Sequence, residues 1–364
     1  MLKNALLLLK EIEKHGFKAY IVGGFVRDYV LGIESHDVDI CTSARPKDIH
    51  EIFKDSCLPN EDYGSMTVIV KNIRYEITTF RREYSYIQNR KPNRFEFIDD
   101  LHEDLKRRDF LINTLCIDSY GNVLDILNGK KDLDNKIINT VGNSYDRFSE
   151  DAFRILRAIR IAASLNFRLS DDVVQSIIKT KHLLKNISYE RKREELDKIF
   201  TSVNVKYGVS MLLDLGLDDV LEIPNLKNID NFDDLMGVWA QLYNDDSKYK
   251  FTSNERNLIN NIREVLKLDN YDNYVIYKYG LYVNSVAAGI KGLDKKKITL
   301  LYNSLPIKNK KDVVINGKDI SQFLNKEPGK YLKIILADLE DKIVAGNLNN
   351  VKEELFSYIC NVYK

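Results

Sequence analysis

The sequence predicts an α+β head, a small mixed sheet with helices, followed by an all-α remainder. Three observations carry that prediction. Up to about residue 138, short apolar alternations suited to strands interleave with amphipathic stretches of helical period. From about Val141 onward no strand-like alternation persists and prolines are few. At 364 residues the chain is too long for one ordinary core, so a boundary is expected where the pattern changes.

The elements follow in order. Met1 to Lys14 reads as an amphipathic helix whose Glu11 and Glu13 are unlike a signal peptide. Lys18 to Val22 reads as a strand, Phe25 to Leu31 as a helix stopped by Gly32, and Asp37 to Cys41 as a second strand. Arg45-Pro46 opens a helix through Phe53. Met66 to Lys71 and Tyr75 to Phe80 read as strands joined by a turn at Asn72. A polar stretch, Arg81 to Asn93, precedes a strand at Arg94 to Ile98. Helix returns near Asp109, Val123 to Ile126 is a last strand, and Glu150 to Phe167 is one helix.

Hydrophobic residues at 44% with 30% charged fit a globular chain, and no apolar run approaches the roughly 20 residues that span a bilayer. The four cysteines form no C-x-x-C pair, which suits reduced thiols in a cytoplasmic protein and provides no zinc framework. Net charge is only +1, but basic residues gather at Arg107-Arg108, Arg154 to Arg160, Arg191 to Arg193, Lys295 to Lys297 and Lys308 to Lys311. Such clusters either line a lane for RNA phosphates or are solvated helix faces.

Gly23-Gly24 follows the apolar run Tyr20-Ile21-Val22 and precedes a helix. Glycine lets backbone N–H groups approach an anion, and a helix N-terminus adds favourable partial charge. Arg27, one turn on, can reach the same phosphate. Alone, the pair is equally the mark of a structural turn. Asp37 and Asp39, two apart on the expected strand, project to one face and can grip one metal centre, while Val38 and Ile40 face the core. Phosphoryl transfer asks chiefly for charge neutralisation and alignment, which metal ions held by carboxylates supply. Glu76, on the alternating run Tyr75-Glu76-Ile77, is either a third carboxylate or a salt-bridged strand residue.

Arg108 can meet phosphate or sugar oxygens and Asp109 can accept from a ribose hydroxyl; a solvated arginine beside a helix cap is the alternative. On the Glu150–Phe167 stretch, Asp151, Arg154, Arg157 and Arg160 recur every third residue opposite an apolar side of Ile155, Leu156, Ile159, Ala162 and Ala163. Charges beside so much apolar surface need partners. Asp151 and Arg154 also suit one piece of recognition. Cytosine and adenine each present an amino donor beside a ring-nitrogen acceptor, which a carboxylate and a guanidinium match; uracil and guanine do not. An i,i+3 ion pair is the alternative.

In this order and spacing, these residues resemble the class II tRNA nucleotidyltransferase family, the CCA-adding enzymes and their bacterial poly(A) polymerase relatives. Ile315-Asn316-Gly317-Lys318-Asp319-Ile320 and Glu327-Pro328-Gly329 are similar to that family's tail. The resemblance implies an elongated, seahorse-like molecule: a catalytic head (1–138), a neck with a nucleotide-template helix (139–203), a helical body (204–305) and a tRNA-binding tail (306–364). It implies addition of C, C and A to a tRNA 3′ end from CTP and ATP, with Mg2+ on Asp37 and Asp39 and tRNA held by its acceptor–TΨC half. By position, Gly24, Arg27, Arg157 and Arg160 would meet the triphosphate, Arg108 and Asp109 the ribose and phosphates, and Asp151 and Arg154 the base, with Glu150 steadying them. Thr114, Ala152-Phe153 and Ile161 depart from the family's usual residues, none at a proposed chemical role.

Poly(A) polymerases carry a basic run where this chain has Tyr63-Gly64-Ser65-Met66-Thr67-Val68, and CC-only enzymes lack a flexible segment such as Arg81 to Asn93. An A-adding enzyme has both features and stays open beside full CCA addition. A catalytically silent RNA-binding protein on this fold would lack the metal carboxylates, and both are present.

Overall fold

Chain order in the first unit is α1 (Leu2–Lys14), β1 (Ala19–Val22), α2 (Gly24–Leu31), β2 (Asp39–Thr42), α3 (Pro46–Phe53), β3 (Cys57–Pro59), β4 (Ser65–Val70) and β5 (Ile73–Thr79). The short strands β6 (Arg81–Glu83), β7 (Tyr86–Ile87), β8 (Lys91–Pro92) and β9 (Phe95–Phe97) precede α4 (Leu101–Lys106), β10 (Cys116–Ile117) and β11 (Val123–Leu124). In this computed structural model residues 1–59, 64–84, 86–87, 91–92, 94–242 and 248–364 are described, and they form two compact units, Met1–Ile223 and Pro224–Lys364. Tyr63 and part of the Arg81–Asn93 stretch lie outside the described residues.

The head sheet has seven strands in the order β11-β10-β1-β2-β5-β4-β3, antiparallel except where β2 runs parallel to β5. Its register sets the site. Asp39 pairs with Val22 on one side and with Glu76 on the other. Residues directly opposite on neighbouring strands face the same side of the pleat, so Asp39 and Glu76 share a face. The adjoining pair, Ile40 and Ile77, is buried on the other. Lys71 and Asn72, with φ of 51° and 62°, close the β4–β5 hairpin as a two-residue turn. The N–H of Gly32, at φ 72°, bonds the last carbonyls of α2 and ends the helix where the sequence predicts.

The rest of this unit comprises α5 (Gly129–Asp134), β12 (Ile137–Ile138), α6 (Ser144–Glu150), α7 (Phe153–Leu165), β13 (Arg168–Leu169), α8 (Asp171–Thr180), α9 (Tyr189–Phe200), α10 (Val205–Asp214) and α11 (Leu217–Val220). Ile155, Leu156, Ile159, Ala162 and Ala163 of α7 are fully buried. The second unit is helical: α12 (Leu235–Leu242), α13 (Ser253–Leu266), α14 (Asn273–Ile290), α15 (Lys295–Ser304), α16 (Gly317–Leu324), α17 (Lys330–Val344) and α18 (Lys352–Tyr363). Its Asn316-Gly-Lys-Asp319 run is a capping box: the Asn316 side chain accepts from Asp319 N–H, and Asp319 accepts from Asn316 N–H.

The mixed head and helical remainder are as expected, with local differences beyond the unanticipated short elements β3, β10 and α5. β2 starts at Asp39, leaving Asp37 exposed ahead of it. The polar stretch after β5 carries the strand pairs β6–β9 and β7–β8. No helix opens at Asp109; α4 has already ended at Lys106, and Leu111–Asn113 is a single 3-10 turn. β13 interrupts the helical region by pairing with β12. The Glu150–Phe167 helix is broken: Asp151 is extended (φ −140°, ψ 100°), and its carboxylate accepts from Phe153 N–H at 3.0 Å. A short acceptor that takes a backbone N–H ends one helix and starts the next.

Candidate active site

Gly23 turns the chain from β1 into α2 at φ 84°, a conformation L side chains rarely adopt. A Cβ there would stand 3.2 Å from Asp39 Oδ2 and 4.0 Å from Arg108 Nη1. The glycine turn, the carboxylate and the guanidinium therefore meet at one point. Burial pushes the Asp39 carboxyl up to about 6; Asp37 and Glu76 add to the shift and Arg108 and Arg157 oppose it. Burial and neighbouring carboxylates both disfavour its charged form.

The guanidinium groups around the site are each held by neighbouring side chains. Arg27 donates Nε to Asp28 at 2.8 Å and Nη1 to Asn113 Oδ1 at 3.0 Å. Asn113 Nδ2 donates in turn to Asp109 Oδ1 at 3.1 Å, which also accepts from Phe110 N–H. Asp109 Oδ2 pairs with Arg157 Nη2 at 2.6 Å. Burial alone would raise the Asp109 carboxyl, but Arg157 and these donors hold it below its usual range. Arg108 Nη2 reaches the fully buried Asp104 at 3.2 Å, and Arg107 Nε reaches the same carboxylate at 2.8 Å. Among the described residues, the buried Nε of Arg108 and of Arg157 have no hydrogen-bond acceptor. Buried guanidinium N–H groups without acceptors are costly in an apolar interior and suited to an anion.

The neck residues are placed less uniformly. Arg154 is buried and donates Nη1 to Glu150 at 2.8 Å. Burial raises the Asp151 carboxyl, with Arg154 the largest opposing charge. Arg160 Nε is bound to Glu195 Oε2 at 2.6 Å, so here its partner is a buried glutamate of α9. A Cβ on Gly24 would stand 3.5 Å from Arg27 Nη2. Lys192, in a cluster read from sequence as either a phosphate lane or a solvated helix face, is fully buried with its ammonium 4.3 Å from the Tyr189 ring.

Asn113, Asp104, Asp28 and Arg147 had no role assigned from sequence. Asp104 and Arg147 lie four residues before Arg108 and three before Glu150, the spacing of helical partners, and Asp28 is the neighbour of Arg27. Asn113 joins Arg27 across 86 positions, a contact that no local pattern signals.

Asp39 at the start of β2 with Glu76 in register beside it, a glycine turn and converging guanidinium groups form an arrangement suited to nucleotidyl transfer. A family model described as "Poly A polymerase head domain" matches residues 19–139. "Probable RNA and SrmB- binding site of polymerase A" matches 166–229, and "tRNA nucleotidyltransferase domain 2 putative" matches 247–359. A CCA-adding enzyme of Ligilactobacillus salivarius is 38% identical, the alignment covering 97% of this chain and 95% of the relative. One from Lactococcus lactis subsp. lactis is 35% identical over 97% and 95%. The crystal structure of the Bacillus stearothermophilus CCA-adding enzyme in complex with CTP superposes with a TM-score of 0.86 at 28% identity, covering 99% of this chain and 96% of that one. The chain belongs to the CCA-adding enzyme family of tRNA nucleotidyltransferases.

Enzymes of this family need a divalent metal ion. The donor set here fits one held jointly with a substrate. Among the described residues no group of three or more carboxylate, thiol or imidazole ligands could hold an ion unaided. Hard divalent ions in phosphoryl-transfer sites are commonly bound by one or two carboxylates plus substrate phosphates. Also among the described residues, no helix is long and apolar enough to cross a membrane.

Proposed function

We propose that this chain adds C, C and A in turn to the 3′ end of tRNA, taking the nucleotides from CTP and ATP. The observation that carries this reading is the convergence of Asp39, Gly23 and Arg108, with Glu76 in register beside Asp39. Asp37 and Asp39 would hold Mg2+, which neutralises triphosphate charge and makes the terminal hydroxyl of the RNA easier to deprotonate. Gly23 and Gly24 leave room for the triphosphate against the start of α2. Arg27, Arg108 and Arg157 neutralise it, and the acceptorless Nε groups of Arg108 and Arg157 bond its oxygens. Asp109, oriented by Asn113, lies by the ribose, and Arg160 borders the phosphates. Asp151 accepts from the amino group of C or A while Arg154 donates to the ring nitrogen; Glu150 steadies Arg154.

The functional division proposed is the one expected from the sequence: head 1–138, neck 139–203, body 204–305 and tRNA-binding tail 306–364. Such an enzyme works in the cytoplasm, where tRNA is processed, and grips the acceptor–TΨC half by phosphate contacts and shape.

The test uses tRNA transcripts ending before CCA, after C and after CC, given CTP and ATP separately and together. Extension of all three to CCA, then arrest, is the expected result. One A added only to the CC-ended transcript makes it an A-adding enzyme, and a long A ladder makes it a poly(A) polymerase. Asp39→Ala should abolish incorporation of both nucleotides while tRNA binding persists; normal C addition by that variant removes Asp39 from the metal site.

A further inference from the structure

The last carbonyls of a helix have no partner within it. At the end of α4 two backbone carbonyls, of Lys106 and Arg107, are taken by guanidinium groups from α6 and α7. Arg147 donates Nη2 to the Lys106 carbonyl, Nε to the Val141 carbonyl at 2.7 Å and Nη1 to Glu150 Oε2 at 2.8 Å. Arg154 donates Nη2 to the Arg107 carbonyl at 3.3 Å, and Nη1 both to the Arg147 carbonyl at 3.1 Å and to the same Glu150 oxygen at 2.8 Å. One glutamate oxygen thus lies between two guanidinium groups, and both of these also grip backbone carbonyls. The next residue of the α4 segment is Arg108, whose Nη1 faces the Gly23 turn and Asp39.

We infer that Arg147 is a positioning residue for base selection. It pins Glu150 and the corner between α6 and α7 to the end of α4, and through them fixes the guanidinium of Arg154. The inference rests on the reading that Arg154 contacts the base. A group that discriminates base edges by hydrogen bonds must be held to within about 0.5 Å by neighbours whose own conformations are locked. Glu150 alone cannot do this, because it is partly exposed and ends its helix. Arg147 locks it: its fork engages one side chain and two backbone carbonyls, a planar geometry that a lysine cannot reproduce.

The experiment compares Arg147→Met, Arg147→Lys and Arg154→Ala with the parent protein. It measures kcat/KM for CTP against UTP on transcripts ending before CCA, and for ATP against GTP on transcripts ending after CC. Melting temperature is recorded for each variant. Selection should fall about tenfold in Arg147→Met, the worth of one charge-assisted hydrogen bond, and less in Arg147→Lys. A common factor lost for all four nucleotides, or no change, with selection relaxed in Arg154→Ala, overturns the inference. Unchanged selection in Arg154→Ala instead removes the base-reading role, and the inference with it. Should Arg147→Met fail to fold, the lysine variant decides by the same criterion.

Discussion

Burial beside Asp37 and Glu76 pushes the Asp39 carboxyl up to about 6, above its value in an unfolded chain, so the folded protein holds that proton more tightly. The contribution to stability is complete below the unfolded pKa and is lost as pH rises through about 6. Asp39→Asn, which cannot ionise, should therefore melt above the parent at pH 8 in chelator-containing buffer. The gap should close as pH falls from about 6 towards 4. Thermal melts across that range check it, and a gap independent of pH would show that Asp39 is not desolvated. Asp39 and the glycine turn were legible in the sequence because they lie close together in the chain, although Asp37 proved to stand ahead of the strand rather than on it. Asn113 was not, because its partners Arg27 and Asp109 acquire meaning only when α2 and the Leu111–Asn113 turn meet.

Among the elements, the break between α6 and α7 departs furthest from the sequence pattern. Arginines at every third position suggest one continuous helix, and apolar periodicity carries through Phe153 to Leu165. What periodicity does not register is a carboxylate turning back on the backbone: Asp151 accepts from Phe153 N–H and starts α7. Asp151 therefore has two separable duties. Asp151→Ala loses the cap and should lower stability by about 1 kcal/mol, whereas Asp151→Ser retains a capping oxygen and should be nearly as stable as the parent. Both should lose preference for CTP and ATP, because neither presents a carboxylate to an amino group. Denaturant melts alongside nucleotide competition separate the duties; a serine variant that selects normally would leave Asp151 a structural cap alone. The β4–β5 hairpin and the stop at Gly32 were legible because turn chemistry is local.

Across the whole molecule, net charge is +1, so any grip on RNA comes from local lanes rather than from overall attraction. Affinity for tRNA should fall at least tenfold between about 50 and 200 mM salt, and a flat titration would exclude a phosphate-dominated interface. The change from mixed to helical pattern was legible near Val141, but the first compact unit runs on to Ile223, because α6 and α7 anchor to the end of α4 and α8, α9 and α10 pack on α6 and α7. Residues 1–223 expressed alone should melt cooperatively. Residues 1–138 alone lack the guanidinium groups that take up the Lys106 and Arg107 carbonyls, and should show no cooperative transition by calorimetry. That junction also bears on how such genes can be shuffled. A crossover between two relatives at the apparent end of the sheet would join one parent's arginines to the other parent's carbonyls, whereas a crossover near Ile223 passes each junction on intact. Viable hybrids, natural or built, should therefore inherit the first 223 residues as a single block.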